Sequence, residues 1–114
     1  MNRTRRRLQD ILDAIEQIEK HTAKGRTAFD QSELIQVWMV HHLQIIGEAV
    51  RAIDAGFRSA HPVVPWRDIS GMRSILVHEY GSIDLNIVWS AVEKEVPLLK
   101  TQIQKLLADL PPDQ

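Results

Sequence analysis

Arg73, His78 and Tyr80 stand within one run of eight residues, RSILVHEY, and Tyr80 is the only tyrosine in the chain. An arginine is charged at every relevant pH, and its planar fork fits phosphate oxygens. A histidine, with an unperturbed pKa of about 6.5, exchanges protons near neutrality. Cutting RNA without a metal needs a base for the 2′-hydroxyl proton, an acid for the departing 5′-oxygen, and positive charge on the phosphorane-like transition state. One arginine and one histidine are the minimum set for that reaction, and a second copy of the chain would double it. Tyr80 adds a phenol that could serve as a handle for control.

Geometry constrains this reading. On a helix at about 100° per residue, Arg73, Val77 and Tyr80 share a face, whereas Arg73 and His78 diverge by about 140°. They converge if the helix breaks near His78, if the arginine arm reaches round, or if two chains supply one each. Gly81 favours a loosened helix end. On spacing alone a structural role also accounts for the cluster: Arg73 paired with Asp68 or Glu48, His78 capping a helix, Tyr80 packing with its hydroxyl outward.

Other candidates are fewer. Glu48 falls beside Gly47 on a helix that reads as buried, where a carboxylate needs a partner. Arg73 is the first choice, and structural and active-site roles both stay open. His41 and His42 are adjacent and point different ways. The i, i+4 and H-E-x-x-H spacings of zinc sites are absent, so no metal site is expected. Gly71 stands alone, without a phosphate-binding loop. Trp38, Trp66 and Trp89 are spaced for packing rather than base stacking.

Helices must position these residues. Leu8, Ile11, Leu12, Ile15 and Ile18 recur at one-face spacing, predicting a helix over 8–22 stopped by Gly25, with Arg3, Arg5, Arg6 and Arg7 as a solvated basic start. Asp30 followed by Glu33 reads as a capping box opening a second helix over 31–55, stopped by Gly56. Its apolar positions, Leu34 and Val37 among them, form a stripe wide enough to be covered on two sides. Gly47 in mid-helix costs about 1 kcal/mol relative to alanine, which implies close approach of another backbone. Residues 57–66 read as a connector with two prolines. Pro65 opens a third helix running from Trp66 to about Tyr80, and Gly81 ends it. Asp84 caps a last helix over 85–108, which Pro97 kinks or splits. No strand alternation and no repeat appears. The expected fold is all-α, an antiparallel helical bundle of four principal helices, five if Pro97 divides the last.

Composition sets the outer limits. With 114 residues, 44% hydrophobic and 25% charged, the chain reads as one domain over 1–114 with a frayed tail at 109–114. No window approaches a membrane span, and the start resembles no secretory signal. The absence of cysteine suits a reducing cytoplasm. A formal net charge of -1 excludes a global basic field, so nucleic acid must be met by a local patch.

Taken together, the motifs resemble a known family. Arg73-x-x-x-x-His78-x-Tyr80 is similar to the Arg-x4-His-x-Tyr signature of HepT-type toxins in the HEPN superfamily. The segments LQIIGEA (43–49), PWRDISGMR (65–73) and GSIDLNIVW (81–89) resemble the family's flanking blocks in the same order. The resemblance implies a HEPN-like helical homodimer whose Arg and His motifs line one shared cleft. It implies a metal-independent ribonuclease, the toxin of a type VII toxin–antitoxin pair, needing no cofactor of its own. Arg73 would bind the scissile phosphate and His78 would act as acid and base. Tyr80 would accept AMP, transferred from ATP by an MntA-like minimal nucleotidyltransferase antitoxin. Glu48 and Ser74 would be supporting residues; Ser74 is a modest departure from the asparagine often found at its position. The alternative is a non-catalytic helical dimer that binds and regulates such a nucleotidyltransferase.

Overall fold

The computed structural model describes residues 3–71 and 83–111. Over these residues the chain is all-α, with no strand. Seven helical runs occur among them: α1 (Arg3–Thr22), α2 (Gly25–Asp30), α3 (Glu33–Ala52), α4 (Ala55–Ala60), α5 (Trp66–Ser70), α6 (Leu85–Ser90) and α7 (Val96–Asp109).

α1 buries the face its spacing predicts, with Leu8, Ile11, Ile15 and Ile18 fully inside. It packs along α3, whose Met39, Leu43, Ile46 and Val50 complete the centre of the core. The two run antiparallel: Trp38 near the start of α3 donates its indole N–H to the Gln17 carbonyl near the end of α1, at 2.8 Å. α7 runs antiparallel to α1 as well, since Lys100 meets Glu19 at 2.8 Å while Arg5 reaches the carbonyls of Leu110 and Pro111. Ile103, Leu99 and Leu106 close the core from that side. Each fully buried aliphatic side chain contributes about 1.5–3 kcal/mol to this packing.

Several boundaries differ from the sequence reading, each for a local reason. α1 begins at Arg3 and not at residue 8, so the arginines lie in its first turns. Arg7 pairs with Asp10 at 3.5 Å, and Arg5 donates to the Pro111 carbonyl at 2.8 Å. Asp30 does not open the second long helix. It ends α2, where its carboxylate is held by Arg26 at 2.9 Å. Ser32 is the cap instead, its hydroxyl accepting the Ile35 N–H at 3.2 Å. α3 then stops at Ala52, because Ile53 turns extended and Asp54 caps a new helix by accepting the Phe57 N–H. Gly56, read in sequence as a helix stop, therefore lies inside α4, which runs on into the expected 57–66 connector. Leu34 and Val37, expected on the buried stripe, are 85% and 51% exposed.

The second half follows its signals more closely. Asp84 caps α6 by accepting the Ile87 N–H at 3.1 Å. Pro97 does interrupt the last helix: residues Ala91–Glu95 widen into a π-helical turn, and α7 restarts with Pro97 in its first turn. A proline cannot donate back to the preceding turn, and the wider turn absorbs the missing bond.

Candidate functional site

Arg73, Ser74, His78 and Tyr80 lie outside the described residues. Their neighbours on both sides are described, and these fix where the motif segment leaves and rejoins the bundle. It leaves through α5. Trp66 anchors that helix, being 7% exposed and donating its indole N–H to the His61 carbonyl at 2.9 Å. Ile69 is buried against α3. At the crossing, a Cβ on Gly47 would stand 3.3 Å from the Ile69 carbonyl oxygen. That is the close backbone approach a mid-helix glycine implies, and it presses α5 onto α3. Arg51, one turn further along α3, donates to the Ser70 carbonyl at 3.0 Å and ties down the last turn of α5. The chain rejoins the bundle at Ile83 and the capped start of α6.

Glu48 corrects the sequence reading. Its neighbours Ile46, Gly47, Ala49 and Val50 are buried, but Glu48 itself faces outward and is exposed. It needs no ion pair to survive there, and it makes none among the described residues. It lines an open groove of about 510 Å³ between α1 and α3, with Arg7, Asp10 and Asp13 on the opposite wall. His42 lies at the base of that groove, 8% exposed. Its Nδ1–H donates to the Trp38 carbonyl at 2.8 Å, which leaves Nε2 as the basic nitrogen of the neutral ring. His41, adjacent in sequence, is exposed.

The tryptophans pack. Trp89 lies 5.3 Å from the Phe29 ring and donates to Glu93, and Trp38 is sandwiched between His21 and His42. None of the three presents a free face comparable to a stacking platform: Trp66 and Trp89 are each 7% exposed, and Trp38 is half-buried. Among the described residues, no three histidines or acids converge on a point where a metal ion could sit. No helix among them is long and apolar enough to cross a membrane.

A second open cleft, of about 640 Å³, lies between α4 and α5 and is lined by Arg58, Arg67, Asp68 and Ser70. Sequence spacing gives no hint of it, because Arg58 and Arg67 belong to short helices separated by a proline-rich turn. The signal that was present is Asp54, a good helix cap three residues before Phe57.

Comparison with known proteins supplies the remaining evidence. A family model described as Ribonuclease HepT-like matches residues 11–106. A protein of Thermococcus cleftensis named probable ribonuclease HepT is 36% identical over 102 residues, covering 87% of this chain and 91% of that protein. A Methanocaldococcus jannaschii protein, whose name couples gamma-glutamylcyclotransferase with an RNase assignment, is 36% identical over 104 residues. The match covers 90% of this chain but only 47% of that relative, so the chain spans about half its length. A protein of Caldanaerobacter subterraneus subsp. tengcongensis, also assigned by name as an RNase, is 44% identical over 68 residues, 60% of this chain and 61% of the relative. No solved structure matches significantly.

Proposed function

The chain belongs to the HepT-like ribonuclease family, and from that premise we propose that it is a metal-independent endoribonuclease, the toxin of a type VII toxin–antitoxin pair. The observation that carries the reading is that the family match over 11–106 contains Arg73, His78 and Tyr80 at the signature spacing. The bundle supports it by pinning both chain ends that flank the motif, through Gly47, Arg51 and Trp66 on one side and Asp84 on the other.

In this mechanism the RNA supplies its own nucleophile. Neutral His78 takes the proton of a 2′-hydroxyl, whose oxygen attacks the adjacent phosphorus. The phosphorus–5′-oxygen bond breaks, and a protonated imidazole returns a proton to the leaving oxygen. Two copies of the chain, each giving one Arg73 and one His78, would let one histidine act as base and the other as acid. Arg73 neutralises the charge that grows on the non-bridging oxygens. Ser74 and Glu48 are supporting residues; Glu48, being exposed, is available to a second chain or to substrate.

Tyr80 is the control point. Transfer of AMP from ATP to its phenol by an MntA-like nucleotidyltransferase would place a phosphodiester charge and a nucleotide's bulk beside Arg73. Both would compete with an RNA phosphate.

The test is cleavage of RNA by the purified protein in EDTA. Arg73→Ala and His78→Ala should each abolish cleavage while circular dichroism keeps its helical signature; full activity in both variants overturns the assignment. Intact mass after co-expression with the nucleotidyltransferase should show added AMP that Tyr80→Phe loses.

A further inference from the structure

We propose that the cleft between α4 and α5 is a phosphate-binding subsite for the RNA strand, holding a nucleotide that flanks the one being cut, with Arg58 and Arg67 as its ligands. The inference rests on the ribonuclease reading above and adds to it a place where substrate is held outside the motif.

Four observations converge. First, Arg58 and Arg67 line one open cleft of about 640 Å³, with Ser70 at its edge and Asp68 as its one carboxylate. Second, neither arginine has a carboxylate partner among the described residues, whereas Arg7, Arg26 and Lys100 do. Two guanidinium groups lining one cleft with a single carboxylate leave it a surplus of positive charge that an anion can answer. Third, the Nε of Arg58 is out of solvent and has no hydrogen-bond acceptor. An orphaned donor of this kind calls for an explanation, and a bound acceptor would supply one. Fourth, the cleft lies next to the motif by covalent connection. Ser70 is three residues before Arg73, so whatever path the chain takes, their Cα atoms are at most about 11 Å apart. Arg51 does not line the cleft, but its bond to the Ser70 carbonyl at 3.0 Å holds the cleft's α5 edge in place.

The ligand these groups fit is the phosphodiester backbone of single-stranded RNA. An arginine fork matches its non-bridging oxygens, and the contacts need no particular base. The groove between α1 and α3 cannot serve, because Asp10, Asp13 and Glu48 outnumber Arg7 along it.

The experiment uses the His78→Ala chain, which should leave RNA intact, and a labelled single-stranded oligoribonucleotide of mixed sequence, titrated at several salt concentrations. Each single-strand phosphate contact adds about 0.7 to the slope of log affinity against log salt. Arg58→Gln with Arg67→Gln should therefore lower the slope by roughly 1.4, and Arg58→Lys with Arg67→Lys should restore it. In the cleavage-competent chain the Gln pair should raise KM and leave kcat unchanged, as expected for contacts made equally in ground and transition states. An unchanged slope and KM, in a protein that still cuts RNA, overturns the subsite alone. A wild-type chain that neither binds nor cuts RNA overturns the ribonuclease reading with it.

Discussion

The groove between α1 and α3 and the cleft between α4 and α5 are both open and of similar size, about 510 and 640 Å³, yet they handle charge in opposite ways. In the groove, acids are in excess and partly engaged: Arg7 pairs with Asp10, and Gln9 donates to Asp13 at 3.0 Å. In the cleft, arginines are in excess and have no carboxylate partner among the described residues. The net charge of -1 over the whole chain averages this difference away. A long helix such as α1 can engage its own polar side chains, because i, i+3 and i, i+4 neighbours are always at hand. Short helices such as α4 and α5 offer few such neighbours, and their charges are left for a ligand.

The strongest way to break that contrast is to invert the cleft. Arg58→Glu with Arg67→Glu should weaken RNA binding on the order of 10- to 100-fold at moderate salt, read by anisotropy. Both side chains are at least partly exposed, so the thermal midpoint should hardly move. Gly47→Val comes next. Its added atoms must enter a gap where a Cβ alone already stands 3.3 Å from the Ile69 backbone oxygen. The cost should be about 1–3 kcal/mol in urea unfolding, since α5 must shift to make room. As α5 is one wall of the cleft, RNA affinity should fall as well. Stability loss with unaltered affinity would mean that α5 does not position the ligand. Asp10→Asn with Asp13→Asn is the matching change in the groove. It should alter RNA affinity by less than about twofold, since those exposed or half-exposed acids line the groove and not the cleft, and salt screens charges near the surface.

How much of this was readable in advance depends on whether one residue type had competitors for its role. The inner face of α1 had none: Leu8, Ile11, Ile15 and Ile18 are buried as their spacing requires. Asp84 stands immediately before the apolar run that opens at Leu85, and it caps. Gly47 announced a close backbone contact, and Ile69 makes it. Asp30 and Ser32, by contrast, are both good caps two residues apart. The choice between them was settled by Arg26, which claims the Asp30 carboxylate from four residues away. Glu48 was misread because a wide apolar stripe makes every residue beside it look buried, although one position can still point outward. The cleft was invisible because it needs α4, and there Gly56 reads as a helix stop and residues 57–66 as a connector. For Arg73, Ser74, His78 and Tyr80, which lie outside the described residues, the motif spacing and the family match remain the supporting evidence.

The smallest effect is expected toward the far end of α3 from the cleft. His21, near the end of α1, packs edge-on against Trp38 with ring centres 5.4 Å apart, and Lys24 Nζ donates to its Nδ1 at 3.1 Å. Burial pushes its pKa below the usual value, and the positive charges of Lys24 and Lys20 push the same way. A histidine that binds its proton less readily when folded than when unfolded stabilises the fold fully above about pH 6.5. That contribution is lost as pH falls from there through the depressed folded value, and it is constant below it. Because the ring is partly exposed, the slope should be shallow. His21→Gln should flatten the acid limb of stability measured by urea midpoint between pH 7 and pH 5. RNA affinity at neutral pH should be untouched, since His21 packs on Trp38 and about 20 Å of α3 separates Trp38 from Ala52, beyond which the cleft begins. An acid limb unchanged by His21→Gln would assign the pH sensitivity to another group. A loss of RNA binding in that variant would show that the two ends of the bundle are coupled, and that the contrast between groove and cleft is not a purely local matter of charge.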